Sequence, residues 1–228
     1  MIPGRPTARG GPATPSRLVP VLVPALLALL ALLGCGRAVE GSATAVAPSD
    51  RPTTPEELEP LLVTEVPSGL PRLPDDEVHP PAGAKRLEDV ARYASDPVRE
   101  RGILAEYGYL HGWERFWGRE AGPMTALFVD QFEQRSGAGR YAEDLAGNDA
   151  DLYGGTLSED PPGLPGSCRQ LVVEEPVPDA GLDAPAAFAW CRHGVFSVSV
   201  TAVGPTAREA VREVQAVLAD QLELLPPA

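Results

Sequence analysis

The hydrophobic positions change their period several times along the chain. Leu18 to Leu33 is apolar throughout, broken only by Pro20 and Pro24. Gly36 to Thr53 holds Ala, Ser, Thr, Pro and Gly with scattered charges and no hydrophobic period, so residues 35–53 read as a disordered tether. Thr54-Pro55-Glu56-Glu57 has the form of a capping box with proline at the first helical position. It predicts a short helix over 55–62 with Leu58, Leu61 and Leu62 as its buried face. Prolines recur from Pro67 to Pro81 and dictate an extended or irregular path. Residues 54–82 are therefore assigned apart from a domain expected over 83–228, and whether 55–82 join that fold or the tether stays open.

Within that domain the period alternates between helix and strand. Leu87, Val90, Ala91 and Ala94 follow helical spacing to about Ser95, with Asp96-Pro97 as the stop and a further short helix over 98–107. Tyr109–Trp117 and Met124–Phe132 are rich in aromatic and β-branched residues and read as paired strands. Leu127, Phe128 and Val129 are apolar on both faces, the mark of a central strand. Gly137–Ala146 predicts a short helix stopped by Gly147-Asn148, followed by a loop over 149–166. Strands are expected over 168–175, 187–192 and 195–203. In the last, Phe196, Val198 and Val200 alternate with Ser197, Ser199 and Thr201. Thr206-Ala207-Arg208-Glu209 caps a final helix whose stripe is Val211, Val214, Leu218, Leu222 and Leu225. The fold class is α+β: an antiparallel sheet of about five strands with amphipathic helices packed on one face.

The N-terminal apolar run carries an address. Arg5, Arg9 and Arg17 precede it without an acidic residue, as in a secretory signal peptide. Leu32-Leu33-Gly34-Cys35 resembles the bacterial lipobox, with Leu33 where a small or β-branched residue is usual. That resemblance implies a signal peptide over 1–34, cleavage between Gly34 and Cys35, and a lipid on the Cys35 sulfur that anchors the chain to the membrane. Two acyl chains suffice for stable anchoring. An uncleaved span is disfavoured, because sixteen apolar residues with two prolines fall short of the roughly 20 that cross a bilayer. Ordinary secretion is the remaining alternative.

Charge and cysteine usage agree with export. The whole chain carries −13, and removal of the basic leader takes this to about −16. Such acidity leaves no basic footprint for nucleic acid. Cys168 and Cys191 would remain, on consecutive strands that an antiparallel pairing brings together. An oxidising compartment favours a structural disulfide between them over two buried thiols.

Gly108-Tyr109-Leu110-His111-Gly112-Trp113-Glu114-Arg115, the later Gly137-Ala138-Gly139, and Arg192-His193-Gly194-Val195 with Ala219-Asp220-Gln221-Leu222 resemble a recurring pattern of actinobacterial lipoproteins. The mycobacterial-type envelope lipoproteins with a small PsbP-like α+β domain are of this kind. The resemblance spans about residues 86–225 and implies a fold and a location at the outer face of the cell membrane. It brings no catalytic residue.

Few constellations carry chemistry. His79, His111 and His193 lack metal-ligand spacing, so no zinc site is expected. His111 and Glu114 point to opposite faces of their strand. Asp149-Ala150-Asp151-Leu152-Tyr153-Gly154 with Asp160 only faintly follows a calcium loop and reads as a solvated acidic loop. Ser136-Gly137-Ala138-Gly139 lacks both a nucleophile elbow and a phosphate-loop ending. No cofactor is implied. The aromatic concentration at Tyr109, Trp113, Trp117 and Phe128 is either core packing or the wall of an apolar ligand site. Three functions remain: a non-catalytic binding or interaction module facing an envelope protein or small apolar ligand, a carrier of an apolar ligand or lipid, and an enzyme with a hidden carboxylate site.

Overall fold

A computed structural model describes residues 51–119 and 122–228. Its centre is a seven-stranded, wholly antiparallel sheet. The strands are β1 (Gly83–Lys85), β2 (Tyr109–Gly118), β3 (Met124–Phe132), β4 (Thr156–Ser158), β5 (Cys168–Val173), β6 (Ala186–His193) and β7 (Phe196–Val203). They lie in the order β1-β2-β3-β7-β6-β5-β4. The five expected strands form the middle, and two three-residue strands border them. Neither border strand carries a hydrophobic alternation long enough to be read from sequence.

Helices cover both faces of this sheet, which corrects the one-sided arrangement expected from sequence. On the first face, Trp113, Leu127, Val129, Ala187, Ala189, Val198 and Val200 meet Val214, Val217 and Leu218 of α5 (Ala207–Leu224). On the second, Leu171, Phe188 and Trp190 meet Ala142 and Ala146 of α4 (Arg135–Tyr153). Beside them Tyr109 and Phe132 pack with α2 (Leu87–Ala91) and α3 (Pro97–Tyr107) through Val90, Ala91 and Leu104. The physical reason lies in β3, β6 and β7, whose central positions on both faces, Asp130 apart, are apolar or small. A sheet apolar on both sides needs two covering layers.

Part of the segment 54–82 packs onto the sheet. Helix α1 (Pro55–Leu58) continues as a 3-10 turn over Glu59–Leu61, and Leu58, Leu62, Val63 and Val66 are buried in the first-face core. Arg115 donates through Nη1 to the carbonyls of Leu62 (2.9 Å) and Val63 (2.8 Å), and through Nη2 to that of Glu59 (3.1 Å). Gln221 of α5 accepts from the Val63 N–H at 3.0 Å and donates to the Leu61 carbonyl at 2.8 Å. Trp117 Nε1 donates to the Thr64 carbonyl at 3.3 Å. A strap without its own regular ladder needs side chains to satisfy its backbone groups, and these three supply them. The expected box at Thr54 shifts by one residue: Glu57 accepts from Thr53 N (2.6 Å) and Thr53 Oγ1 (3.0 Å).

Two further expectations are corrected. Helix α4 does not stop at Gly147-Asn148 but runs to Tyr153, turning the first residues of the expected acidic loop into its last turn. Leu145, Ala150 and Tyr153 pack against the core of that face, and the added burial outweighs one helical glycine. Asp96 is not only a stop: its carboxylate accepts from Arg99 N at 3.1 Å and caps α3. Cys168 and Cys191 sit directly opposite each other on β5 and β6, 4.0 Å apart at Cα, and form a disulfide. Gly34, Cys35, the leader and most of the tether lie outside the described residues. Among the described residues, no helix is long and apolar enough to cross a membrane.

Candidate functional site

A cavity of about 440 Å³ opens between the second face of the sheet and helices α2, α3 and α4. Its floor comes from alternate positions of neighbouring strands: Glu114 and Phe116 on β2, Ala126, Phe128 and Asp130 on β3, Ser199 and Thr201 on β7, Phe188 and Trp190 on β6. A two-residue side-chain period puts these on one surface. Tyr141, Leu145, Asn148, Asp149 and Tyr153 of α4 close one wall, and Val90, Tyr93 and Glu100 another. The size falls within the usual range for small-molecule sites.

Aromatic rings build much of the lining. Tyr153, Phe188 and Trp190 form a continuous stack with centroid separations of 5.0 and 5.9 Å. Phe116 and Phe128 meet edge to face at 5.6 Å. These are offset or T-shaped geometries favoured by the ring quadrupole.

Carboxylates supply the polarity. Lys85, the chain's only lysine, is 3% exposed. Its ammonium lies 3.1 Å from Glu114 Oε2 and donates to the Pro81 carbonyl. The Tyr93 hydroxyl donates to the same Glu114 oxygen at 2.9 Å, and Lys85 sits 5.7 Å from the Tyr93 ring centroid. Burial still raises the Glu114 pKa, against the pull of Lys85. Asp130 lies on the neighbouring strand and is 7% exposed. Burial first, and the Glu114 charge second, push its pKa up to about 7. Burial also raises Asp149 to about 6 and moves Glu100 upward.

Asp130 has room because of Gly112, opposite it on β2. A Cβ at Gly112 would collide with Asp130 Oδ1 and come within 2.8 Å of the Tyr109 hydroxyl. That hydroxyl lies beside Asp130 and pulls its carboxyl pKa down against the effect of burial. Desolvation and the Asp130 charge hold the Tyr109 pKa well above its ordinary value.

The four aromatics singled out from sequence do not meet in one place. Phe128 lines the cavity. Tyr109 lies below it, edge to face with Phe132 at 5.5 Å. Trp113 and Trp117 are on the opposite face, packed into the core beneath the strap. His111 is also buried away from the cavity, and desolvation lowers its pKa. The residues that sequence reasoning missed are Asp130, Phe188, Trp190 and Tyr153. Asp130 left a readable trace, an acid inside an otherwise apolar central strand. No group of three potential metal ligands gathers among the described residues.

The cavity can hold an apolar or aromatic body and meet a polar head with carboxylates of differing protonation. Glu114 is tied by Lys85 and Tyr93, so Asp130 is the deeply buried acid left without an ion pair. No family model matches the chain, and no curated protein matches it. Among solved structures, the chain is similar to the extracellular domain of PknH from Mycobacterium tuberculosis. The identity is 13% over 76% of this chain and 98% of that one, with a TM-score of 0.44.

Proposed function

We propose that this chain is a lipid-anchored, extracytoplasmic, non-catalytic binding module of the bacterial envelope, and that its ligand occupies the cavity above Asp130. The cavity is the observation that carries the binding part. Its aromatic walls offer apolar contact, and the buried Glu114 and Asp130 supply neighbouring polar groups on its floor. The lipobox-like Leu32-Leu33-Gly34-Cys35 supports the anchoring, and the Cys168–Cys191 disulfide supports an oxidising compartment.

Native mass spectrometry of the full chain tests the binding part. A small molecule is expected to accompany the wild type and to be lost from Thr201→Trp, which fills the cavity. A wild-type protein that emerges empty overturns the reading. A palmitate analogue tests the anchor, labelling wild type but not Cys35→Ser; an unlabelled wild type removes it.

A second reading is acid–base catalysis, favoured by Glu114 and Asp130 sharing one cavity. Asp130 near neutrality suits a general acid. Glu114 suits the partner role less well, because its Oε2 already receives Lys85 and Tyr93.

A further inference from the structure

The charges around the cavity select among the ligands it has room for. Four carboxylic acids line it, Glu100, Glu114, Asp130 and Asp149, and no lysine, arginine or histidine among the described residues does. The nearest cation, Lys85, is spent behind Glu114 on that carboxylate and on the Pro81 carbonyl. Of the four only Glu114 has an ion pair, and of the other three Asp130 alone is more than nine-tenths buried. An anionic headgroup entering this space would face like charges at low dielectric, where repulsion is strong. A cation would gain a carboxylate and the faces of the surrounding rings together.

We propose that the cavity takes a ligand with an apolar or aromatic body and one cationic amine, the ammonium seated against the Asp130 carboxylate. The proposal rests on the cavity being the ligand site and adds the ligand's chemical class. Binding is then tied to pH, because the amine recruits the ionised form of Asp130. Lys85 from β1, Tyr109 and Glu114 from β2, Tyr93 from the turn after α2 and Tyr141 from α4 act on Asp130, and Glu100 of α3 and Asp149 of α4 line the same cavity. Only Lys85 among them is basic, and protonation of Asp130 or Asp149 on acidification weakens the hold on a cation.

Calorimetric titration of the full chain with three indoles of similar shape tests this. Tryptamine carries the amine, tryptophol a neutral hydroxyl, and indole-3-propionate a carboxylate. At pH 8 tryptamine is expected to bind roughly tenfold or more tighter than tryptophol, with indole-3-propionate weakest. Asp130→Asn should bring tryptamine to the level of tryptophol and leave tryptophol unchanged. Acidifying the wild type to pH 5.5 should weaken tryptamine about tenfold without moving tryptophol. Asp149→Asn, with a smaller loss for tryptamine, serves if Asp130→Asn fails to fold. Equal binding of all three indoles, or tryptamine binding indifferent to Asp130→Asn and Asp149→Asn, overturns the amine assignment and leaves the cavity as a site. Binding of none overturns both.

Discussion

Asp130 is a buried acid on a central strand, and its position has a thermodynamic signature apart from any ligand. Its folded-state pKa of about 7 lies above the ordinary value of 3.8. Between those values the folded protein holds a proton that the unfolded chain has released. Stability from this group is therefore full below about pH 4, falls as pH rises toward 7, and levels off above. The ceiling is roughly 4 kcal/mol, since each tenfold difference in proton affinity corresponds to about 1.4 kcal/mol. Asp149 and Glu114, also raised, slope the same way. Urea denaturation across pH 4–8 should show wild-type stability declining with pH. Asp130→Asn should flatten much of that slope and be the more stable protein at pH 8; an unchanged slope would place the proton elsewhere.

At the scale of elements, α4 and the strap show how context sets the sign of a substitution. Gly147 lies in mid-helix, and a Cβ there would meet nothing within 4 Å, whereas a Cβ at Gly137 would collide with the Tyr107 carbonyl oxygen. Gly147→Ala should stabilise by about 0.5–1 kcal/mol through helix propensity. Gly137→Ala should destabilise by about 1–3 kcal/mol, because α4 must back away from the end of α3. Thermal melts of the two variants against wild type would check the opposed signs. The strap offers the complementary case. Arg115→Met keeps much of the length of the side chain but strands the carbonyls of Leu62 and Val63, while that of Glu59 keeps the Leu62 N–H. A loss of roughly 3 kcal/mol is expected, with residues 51–66 cut first in limited proteolysis. Unchanged resistance there would mean that burial of Leu58 and Leu62 alone holds the strap.

For the whole molecule, the disulfide joins β5 to β6 across a sequence separation of 23 residues. It limits the unfolded chain more than it shapes the folded one, since the register already sets Cys168 opposite Cys191. Reductant, or Cys168→Ala with Cys191→Ala, should cost about 3 kcal/mol by the chain-entropy argument. The sheet should persist by far-ultraviolet circular dichroism; its loss would show the bond to be a condition of folding. The two-sided covering of the sheet is the reason such a loss should be tolerated. The first-face core under α5 and the strap, and the second-face clusters under α2, α3 and α4, each bury aliphatic and aromatic side chains.

What was legible in the sequence was local. The alternation of Phe196, Val198 and Val200 declared β7, the Thr206 cap and its stripe declared α5, and consecutive strands predicted the pairing of Cys168 with Cys191. These depend on nearest-neighbour geometry, so a one-dimensional pattern can hold them. The number of covering layers, the docking of residues 54–66, and the continuation of α4 past Gly147 were decided by burial across the sheet. Helical period and glycine content are silent about that burial. The site followed the same division. Phe128 was visible as an aromatic in an apolar strand, but its separation from Trp113 and Trp117 depended on which face each residue takes. Asp130 became a candidate only when Gly112, Glu114 and the wall of α4 surrounded it. Desolvation and Coulomb coupling are properties of three-dimensional neighbours, and no spacing along the chain records them.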